Sequence, residues 1–327
     1  MKISRAVVTG GAGFIGSHIV DELVRRKVET YVVDDLSTGR LDNLRQHEGS
    51  DLLHVVVGDG RKIDKLLAGV EHIDVLFHEA AIANVLRSVN EPMVVHDVNV
   101  NMALLTMNFA LAKKIKRFVF ASSAAVYGVI GDVKAKEDLL CYPSSPYGAS
   151  KMCVENYLHA YRQTYGLEGV MLRYFNVYGP RQAMSDYSGV ITLFVNRILG
   201  REPVTIYGDG RQTRDFVNVR DIVQANMLAM EEDAAVGEPF NVASGQSTSI
   251  IQLLETLKSL AHARDLQHTF APPRPGDVRF GAASIEKIES VLRYRKSVSM
   301  EQGLDELLRY TASKLEIQVQ QGQEQRR

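Results

Sequence analysis

Short apolar runs rich in β-branched residues alternate, over the first half of this chain, with longer stretches whose apolar positions recur every three or four residues. "RAVVTG", "ETYVVDDL", "IDVLFHEAA", "RFVFASS" and "GVMLRYFNVYG" read as strands, with "FIGSHIVDELVRRK" and "MALLTMNFALAKKI" as helices between them. The strands are apolar throughout instead of alternating, so both of their faces are covered. The pattern predicts an α/β fold, a doubly wound Rossmann-like parallel sheet with helices on both sides.

The pattern changes after "YGPRQ". "VITLFVNRIL" reads as a helix, "YGDGRQTRDF" as a Gly-rich turn, "VRDIVQANMLAME" as an amphipathic helix, "PFNVAS" as a strand and "IIQLLETLKSLA" as a helix. "APPRPGDVRF" is a Pro- and Gly-bounded loop, and "KLEIQVQQGQEQRR" is polar enough to fray. The expected organisation is a dinucleotide domain from 1–180 with about 215–245, a smaller α/β substrate domain from 181–214 and 246–315, and a polar tail from 316–327.

Composition narrows the function classes. At 327 residues and 45% hydrophobic the chain can bury a large core, and 38 Lys plus Arg against 39 Asp plus Glu create no field that would favour nucleic acid or an anionic membrane. The longest apolar runs are too short to span a bilayer. Cys141 and Cys153 have no metal-ligand spacing and suit a reducing compartment. The expectation is a soluble cytoplasmic protein with no metal site.

The chemistry begins at "TGGAGFIGSH", where Gly10, Gly13 and Gly16 fall three apart and Gly11 adds the register G-x-G-x-x-G. In a dinucleotide turn Gly11 allows the tight bend, Gly13 lets backbone approach a pyrophosphate and Gly16 lets the helix pack on the strand. Asp34 lies 21 residues beyond Gly13 at the end of the next strand, where a carboxylate accepts bonds from a ribose diol and repels a 2′-phosphate. NAD is therefore expected over NADP. Further on, "SSPYGASK" places Tyr147 and Lys151 four apart, one helical turn on one face. A neighbouring ammonium lowers a phenol's pKa, and Ser123, at the end of "RFVFASS", supplies a hydroxyl for the same substrate oxygen.

Taken together, "TGGAGFIGSH", "VVDDLSTG", "HEAA", "SSAAVYG", "SPYGASK", "RYFNVYGPRQ", "GDGRQTRDFVNVRDI" and "RPGDV" resemble the extended short-chain dehydrogenase/reductase family, in its sugar-nucleotide epimerase/dehydratase branch. The resemblance runs from Val8 to Val278. It implies that Tyr147 is the acid/base, that Lys151 holds the nicotinamide ribose and tunes Tyr147, and that Ser123 polarises the sugar hydroxyl. It places Gly10, Gly13, Phe14, Ile15, Gly16, Asp34, Asp35, Ser37, Gly39, Asp59, Gly60, Ala80, Ala81, Asn99, Ser122 and Tyr174 at the cofactor. Asn176, Val190, Arg214, Arg274 and Asp277 fall to the nucleotide-sugar substrate, with the two arginines on its diphosphate.

The two residues after Ser123 sort the reaction. The branch's dehydratases carry Asp-Glu there and its decarboxylases a Glu, whereas this chain has Ala124 and Ala125. Elimination then lacks its acid and base, and 4-epimerisation of a UDP-hexose through a 4-keto sugar remains. Gly281 stands where the family varies side-chain size at the sugar, which implies room for N-acetylhexosamines. Asn84, Leu86, Asn101, "DGRK" and Ala283 depart from the usual pattern. Arg87 and Arg181 keep a uronate substrate open, a 4,6-dehydratase is a second alternative, and a non-enzymatic NAD sensor is the reading from a different class. A homodimer through the faces of "MALLTMNFALAKK" and "SKMCVENYLHAYRQTYG" is expected.

Overall fold

The structure, a computed structural model, describes residues 3–183, 189–273 and 279–324. Its strands are β1 (Arg5–Thr9), β2 (Glu29–Asp34), β3 (Leu53–Val57), β4 (Val75–His78), β5 (Arg117–Ser123), β6 (Lys134–Ala135), β7 (Glu168–Tyr174), β8 (Asn176–Tyr178), β9 (Val204–Tyr207), β10 (Thr213–Asn218), β11 (Pro239–Val242), β12 (Ser247–Ser249), β13 (His268–Ala271) and β14 (Ala282–Ala283). The longer helices are α1 (Phe14–Arg25), then, after the short α2 (Ile63–Leu66), α3 (Val85–Asn90) and α4 (Pro92–His96), α5 (Met102–Ala112), α6 (Pro146–Tyr165), α7 (Val190–Leu199), α8 (Val219–Glu231) and α9 (Ile250–Leu260). The short α10 (Glu286–Leu292) and the long α11 (Met300–Glu324) complete the chain.

Seven strands form one parallel sheet in the order β11-β7-β5-β4-β1-β2-β3. The order reverses between β1 and β4. The crevice beyond the carboxyl ends of these two strands is where open α/β sheets bind ligands. One face of the sheet is covered by α1 and α8, with Ile288, Leu292 and Tyr294 around α10 joining that core. The other carries Met107, Phe109, Val154 and Leu158 of α5 and α6. A third core of Ile191, Phe194, Ile206, Leu253, Leu254 and Leu304 lies among α7, β9, α9 and α11.

Local chemistry accounts for the helix ends that matter to the site. The Ser145 side chain caps α6 by accepting from the Gly148 amide at 3.1 Å, Pro146 occupies the first turn, and Gly166 ends the helix at φ 73°. Arg117, fully buried, donates to the carbonyls of Ala229, Met230 and Glu232 at the end of α8.

Four expectations need correction. The sequence pattern does not announce β3, a five-residue edge strand with a neighbour on one side only, whose Val57 stays 54% exposed. "GVMLRYFNVYG" is two strands, because the chain leaves the main sheet at Phe175 and β8 pairs with β10 instead. The Gly-rich turn is shorter than expected, since Thr213–Asn218 is already β10. The tail expected to fray continues α11 to Glu324; on the way Lys314 meets Asp42 at 3.5 Å. Among the described residues no helix is long and apolar enough to cross a membrane, no His/Cys/Asp/Glu group could hold a metal, and Cys141 and Cys153 are unbridged.

Candidate active site

The glycine turn joins β1 to α1. Gly10 takes φ +69°, which an L side chain rarely adopts, and a Cβ on Gly11 would meet the Val32 side chain at 2.7 Å, so the tight bend requires both glycines. A Cβ on Gly16 would overlap the Gly10 carbonyl, so the helix can meet the turn only as glycine. Gly13 caps α1 in extended conformation; no side chain caps the helix, and its first turn, with Phe14 and Ile15, carries no acid. The α1 amides therefore face the end of β1 without an internal anion. This cradle fits a pyrophosphate by backbone donors and helix dipole.

Asp34 closes the other side. Its carboxylate accepts from the Ala12 amide and from Leu36, both at 2.9 Å, and Gly39 lies directly against it. Burial raises its pKa and the two amide bonds oppose that shift. Asp35 accepts from the Ser37 amide at 2.9 Å, which shapes the loop between them. Asp59 is bound by Arg61, which also pairs with Asp97, and these bonds hold its carboxyl below the usual range. Gly60 follows it at the head of a short turn beside Met102.

The acid/base residues meet at the ends of β5 and α6. Ser123 ends β5 and accepts from the Ala125 amide at 3.2 Å, and its side chain lies near enough to the Tyr147 phenol to lower that group's pKa. Lys151, buried, donates to the Ala121 carbonyl at 2.7 Å with its ammonium 4.9 Å from the Phe120 ring centre. Burial pushes Lys151 down to about 8, against an upward pull from Glu79. The expected lowering of the phenol is not found. Burial raises Tyr147, the nearby Ser123 opposes the rise and Glu79 adds to it, while the Lys151 ammonium is held at the Ala121 carbonyl of β5.

Several residues expected at the cofactor make side-chain bonds within the fold. Asn99 is buried and clamps both backbone groups of Ile82 and the Ser150 hydroxyl, at 2.8 to 3.2 Å. Ser122 points away from Ser123, as alternate strand residues must, and donates to Glu155 at 2.5 Å. Tyr174 donates to Glu79 at 2.9 Å and accepts from Asn226 at 2.7 Å. Ala80 backbone abuts Gly10, so Ala80 and Ala81 carry β4 past the glycine turn. Sequence reasoning does not single out Glu79; its signal is the acid inside "HEAA". His78, next to it, is buried with Nδ1 2.9 Å from the Thr9 hydroxyl and Nε2 without a partner, and burial pushes it down to about 3, so it is neutral.

Two residues beyond Tyr174 the chain enters a cavity of about 1190 Å³, lined by Asn176, Val190, Arg214, Phe194, Tyr207 and Gln212 among others. Arg214 donates to its own neighbour's carbonyl at Thr213, and a Cβ on Gly281 would come 3.4 Å from the Arg214 side chain. Asn176 donates to the Asp215 carbonyl at 3.0 Å. Arg274 and Asp277 lie outside the described residues. Arg87 and Arg181, considered for a uronate, are engaged elsewhere: Arg87 pairs with Glu91 on exposed α3, and Arg181 with Asp21 at 2.7 Å.

Residues 6–243 match the family model described as the NAD dependent epimerase/dehydratase family. The chain belongs to this family. Among its relatives is a UDP-glucose 4-epimerase of Mycolicibacterium smegmatis, 36% identical over 95% of this chain and 99% of that one. Among solved structures, a UDP-N-acetylglucosamine 4-epimerase from Methanobrevibacter ruminantium M1 in complex with UDP-N-acetylmuramic acid aligns with TM-score 0.91 at 37% identity, over 96% of this chain and 100% of that one. A UDP-glucose 4-epimerase from Thermotoga maritima with UDP-glucose aligns with TM-score 0.89 at 36% identity, over 95% and 99%. The NAD dependence of the epimerase/dehydratase family agrees with the anion-free helix terminus and the buried Asp34 carboxylate.

Proposed function

We propose that the chain is an NAD-dependent 4-epimerase of a UDP-hexose, acting on UDP-glucose and UDP-galactose and on their N-acetylhexosamine counterparts. One observation carries the reading: Ser123 at the end of β5 lies near Tyr147 in the first turn of α6, while the two residues after Ser123 are the alanines 124 and 125. That arrangement can move a proton at one hydroxyl, yet offers no acid and base at those two positions for elimination.

Tyr147 takes the 4-hydroxyl proton, and Ser123 holds that oxygen in line. Lys151, one helical turn along from Tyr147, is assigned to the nicotinamide ribose. The glycine turn and Asp34 would hold NAD, which would supply the hydride acceptor and donor for C4. Asn176, Val190 and Arg214 support reading the cavity as the nucleotide diphosphate site, about which the 4-keto sugar turns to present its other face. Tyr147 then returns the proton.

The test is the product spectrum when purified protein meets UDP-glucose, UDP-N-acetylglucosamine and UDP-glucuronate separately. The expected outcome is interconversion of 4-epimers of the first two with no added oxidant. A 4-keto-6-deoxy product would identify a dehydratase. Turnover of UDP-glucose with none of UDP-N-acetylglucosamine would remove the role given to Gly281.

A homodimer belongs to the same proposal. Once α5 and α6 have packed on the sheet, Leu105, Tyr157 and Tyr165 remain 40 to 61% exposed on them. Sedimentation at twice the chain mass is expected, with dissociation when Tyr157 and Leu105 are replaced by Lys.

A further inference from the structure

We propose that Glu79 is a positioning residue of the acid/base pair, a carboxylate fixed by Tyr174 beside Lys151 whose charge sets the protonation of both Lys151 and Tyr147. This rests on the epimerase reading only for its consequence in catalysis.

The placement is built. Glu79 directly follows β4 at the point where the strand order reverses, and its amide donates to the Thr9 carbonyl of β1 at 3.2 Å. Across the sheet, α8 supplies Asn226, whose side chain donates to the Tyr174 hydroxyl, and Tyr174 in turn donates to the Glu79 carboxylate. The relay spans α8, β7 and β4, three elements that pack independently of any ligand. A carboxylate needed only to satisfy Tyr174 could be any neutral acceptor, so a titrating acid beside a buried ammonium calls for another explanation.

The groups facing Glu79 are few. From α6 come Tyr147 and Lys151, whose ammonium bonds the carbonyl of Ala121, the β5 residue after Phe120, which itself pairs with His78 just before Glu79; from β7 comes Tyr174, whose own pKa is pushed well above 10. His78 on its own strand is neutral, and Asn226 of α8 does not titrate. Burial pushes Glu79 up to about 7, with the Tyr174 bond and the Lys151 charge opposing. Glu79 thus changes charge within the range where Lys151 does.

The signs come from Coulomb's law. An ionised Glu79 stabilises the Lys151 ammonium and disfavours the Tyr147 phenolate, so it raises both pKa values. Removing the charge lowers both. In Glu79→Gln both limbs of the kcat profile, which report the titration of the phenol and ammonium as a pair, should move together to lower pH, by on the order of one unit. In Tyr174→Phe the lost donor raises the Glu79 pKa, so Glu79 stays neutral to higher pH and the profile moves the same way by a smaller amount.

The deciding measurement is the ultraviolet phenolate signal of the purified full-length protein that Tyr147→Phe abolishes. It should appear at lower pH in Glu79→Gln, at intermediate pH in Tyr174→Phe, and near the parent pH in Glu79→Asp. An unmoved or upward-shifted signal in a Glu79→Gln protein with parental melting behaviour overturns the proposal. If that variant does not fold, the sign of the Tyr174→Phe shift decides in the same way. The titration involves no sugar and no turnover, so it stands or fails apart from the product analysis that tests epimerisation.

Discussion

Replacing Tyr147 with Phe should lower kcat by on the order of 10²- to 10⁴-fold while leaving KM for the nucleotide sugar and the bound NAD nearly unchanged. The aromatic ring keeps its shape and its place in the first turn of α6, so packing is preserved. What disappears is the phenol hydroxyl near Ser123 that is proposed to exchange a proton with the substrate. A mutation that removes only a transition-state interaction lowers kcat and kcat/KM together. Steady-state rates on UDP-glucose, with the nicotinamide content of the purified variant measured in parallel, check both halves. Wild-type turnover by this variant would sink the mechanism, and loss of NAD with loss of rate would assign Tyr147 to cofactor retention instead.

The second large effect is expected beneath the site, where no ligand reaches. Arg173 of β7 and Glu155 of α6 are each only 5% exposed and meet at 2.7 Å, with a second guanidinium bond at 3.0 Å. Arg173 also donates to the Tyr127 hydroxyl at 2.9 Å, Tyr127 donates to Asn241 at 2.7 Å, and Ser122 donates to Glu155. Glu155→Ala would strand a guanidinium that cannot lose its charge, which costs about 3–5 kcal/mol. Urea unfolding should show that loss. The double replacement Glu155→Leu with Arg173→Met should recover much of it, since an apolar pair of similar volume replaces two desolvated charges. If the single variant unfolds like the parent, the cluster is not the anchor described here. Ser122 ties the cluster to the residue before Ser123, so even a folded Glu155 variant is expected to be a slower enzyme.

What the sequence disclosed depended on whether a residue's role was written into its neighbours. The glycine turn, Asp34, and the Tyr147 and Lys151 spacing are local patterns, and the turn and helix that carry them formed where the pattern placed them. Roles decided by distant partners were not legible. The motifs place Ser122, Asn99 and Tyr174 at the cofactor but do not disclose that their side chains bond Glu155, Ser150 and Glu79, between 33 and 95 residues away. Glu79 was hidden for the same reason, since nothing within "HEAA" indicates the tyrosine that holds it. Strand β3 was missed because an edge strand is covered on one side only, and its exposed valines do not form the fully apolar run that marks a central strand.

Asp34 holds the Ala12 amide inside the glycine turn, and the motif assigns the same carboxylate to a ribose diol. On that assignment cofactor selectivity and loop architecture share a single carboxylate. An engineer who exchanges it for a neutral residue to admit a 2′-phosphate also releases the bend that cradles the pyrophosphate. A change of coenzyme in this chain would need a replacement anchor for Ala12 in the same step, which makes the preference hard to drift by single substitutions.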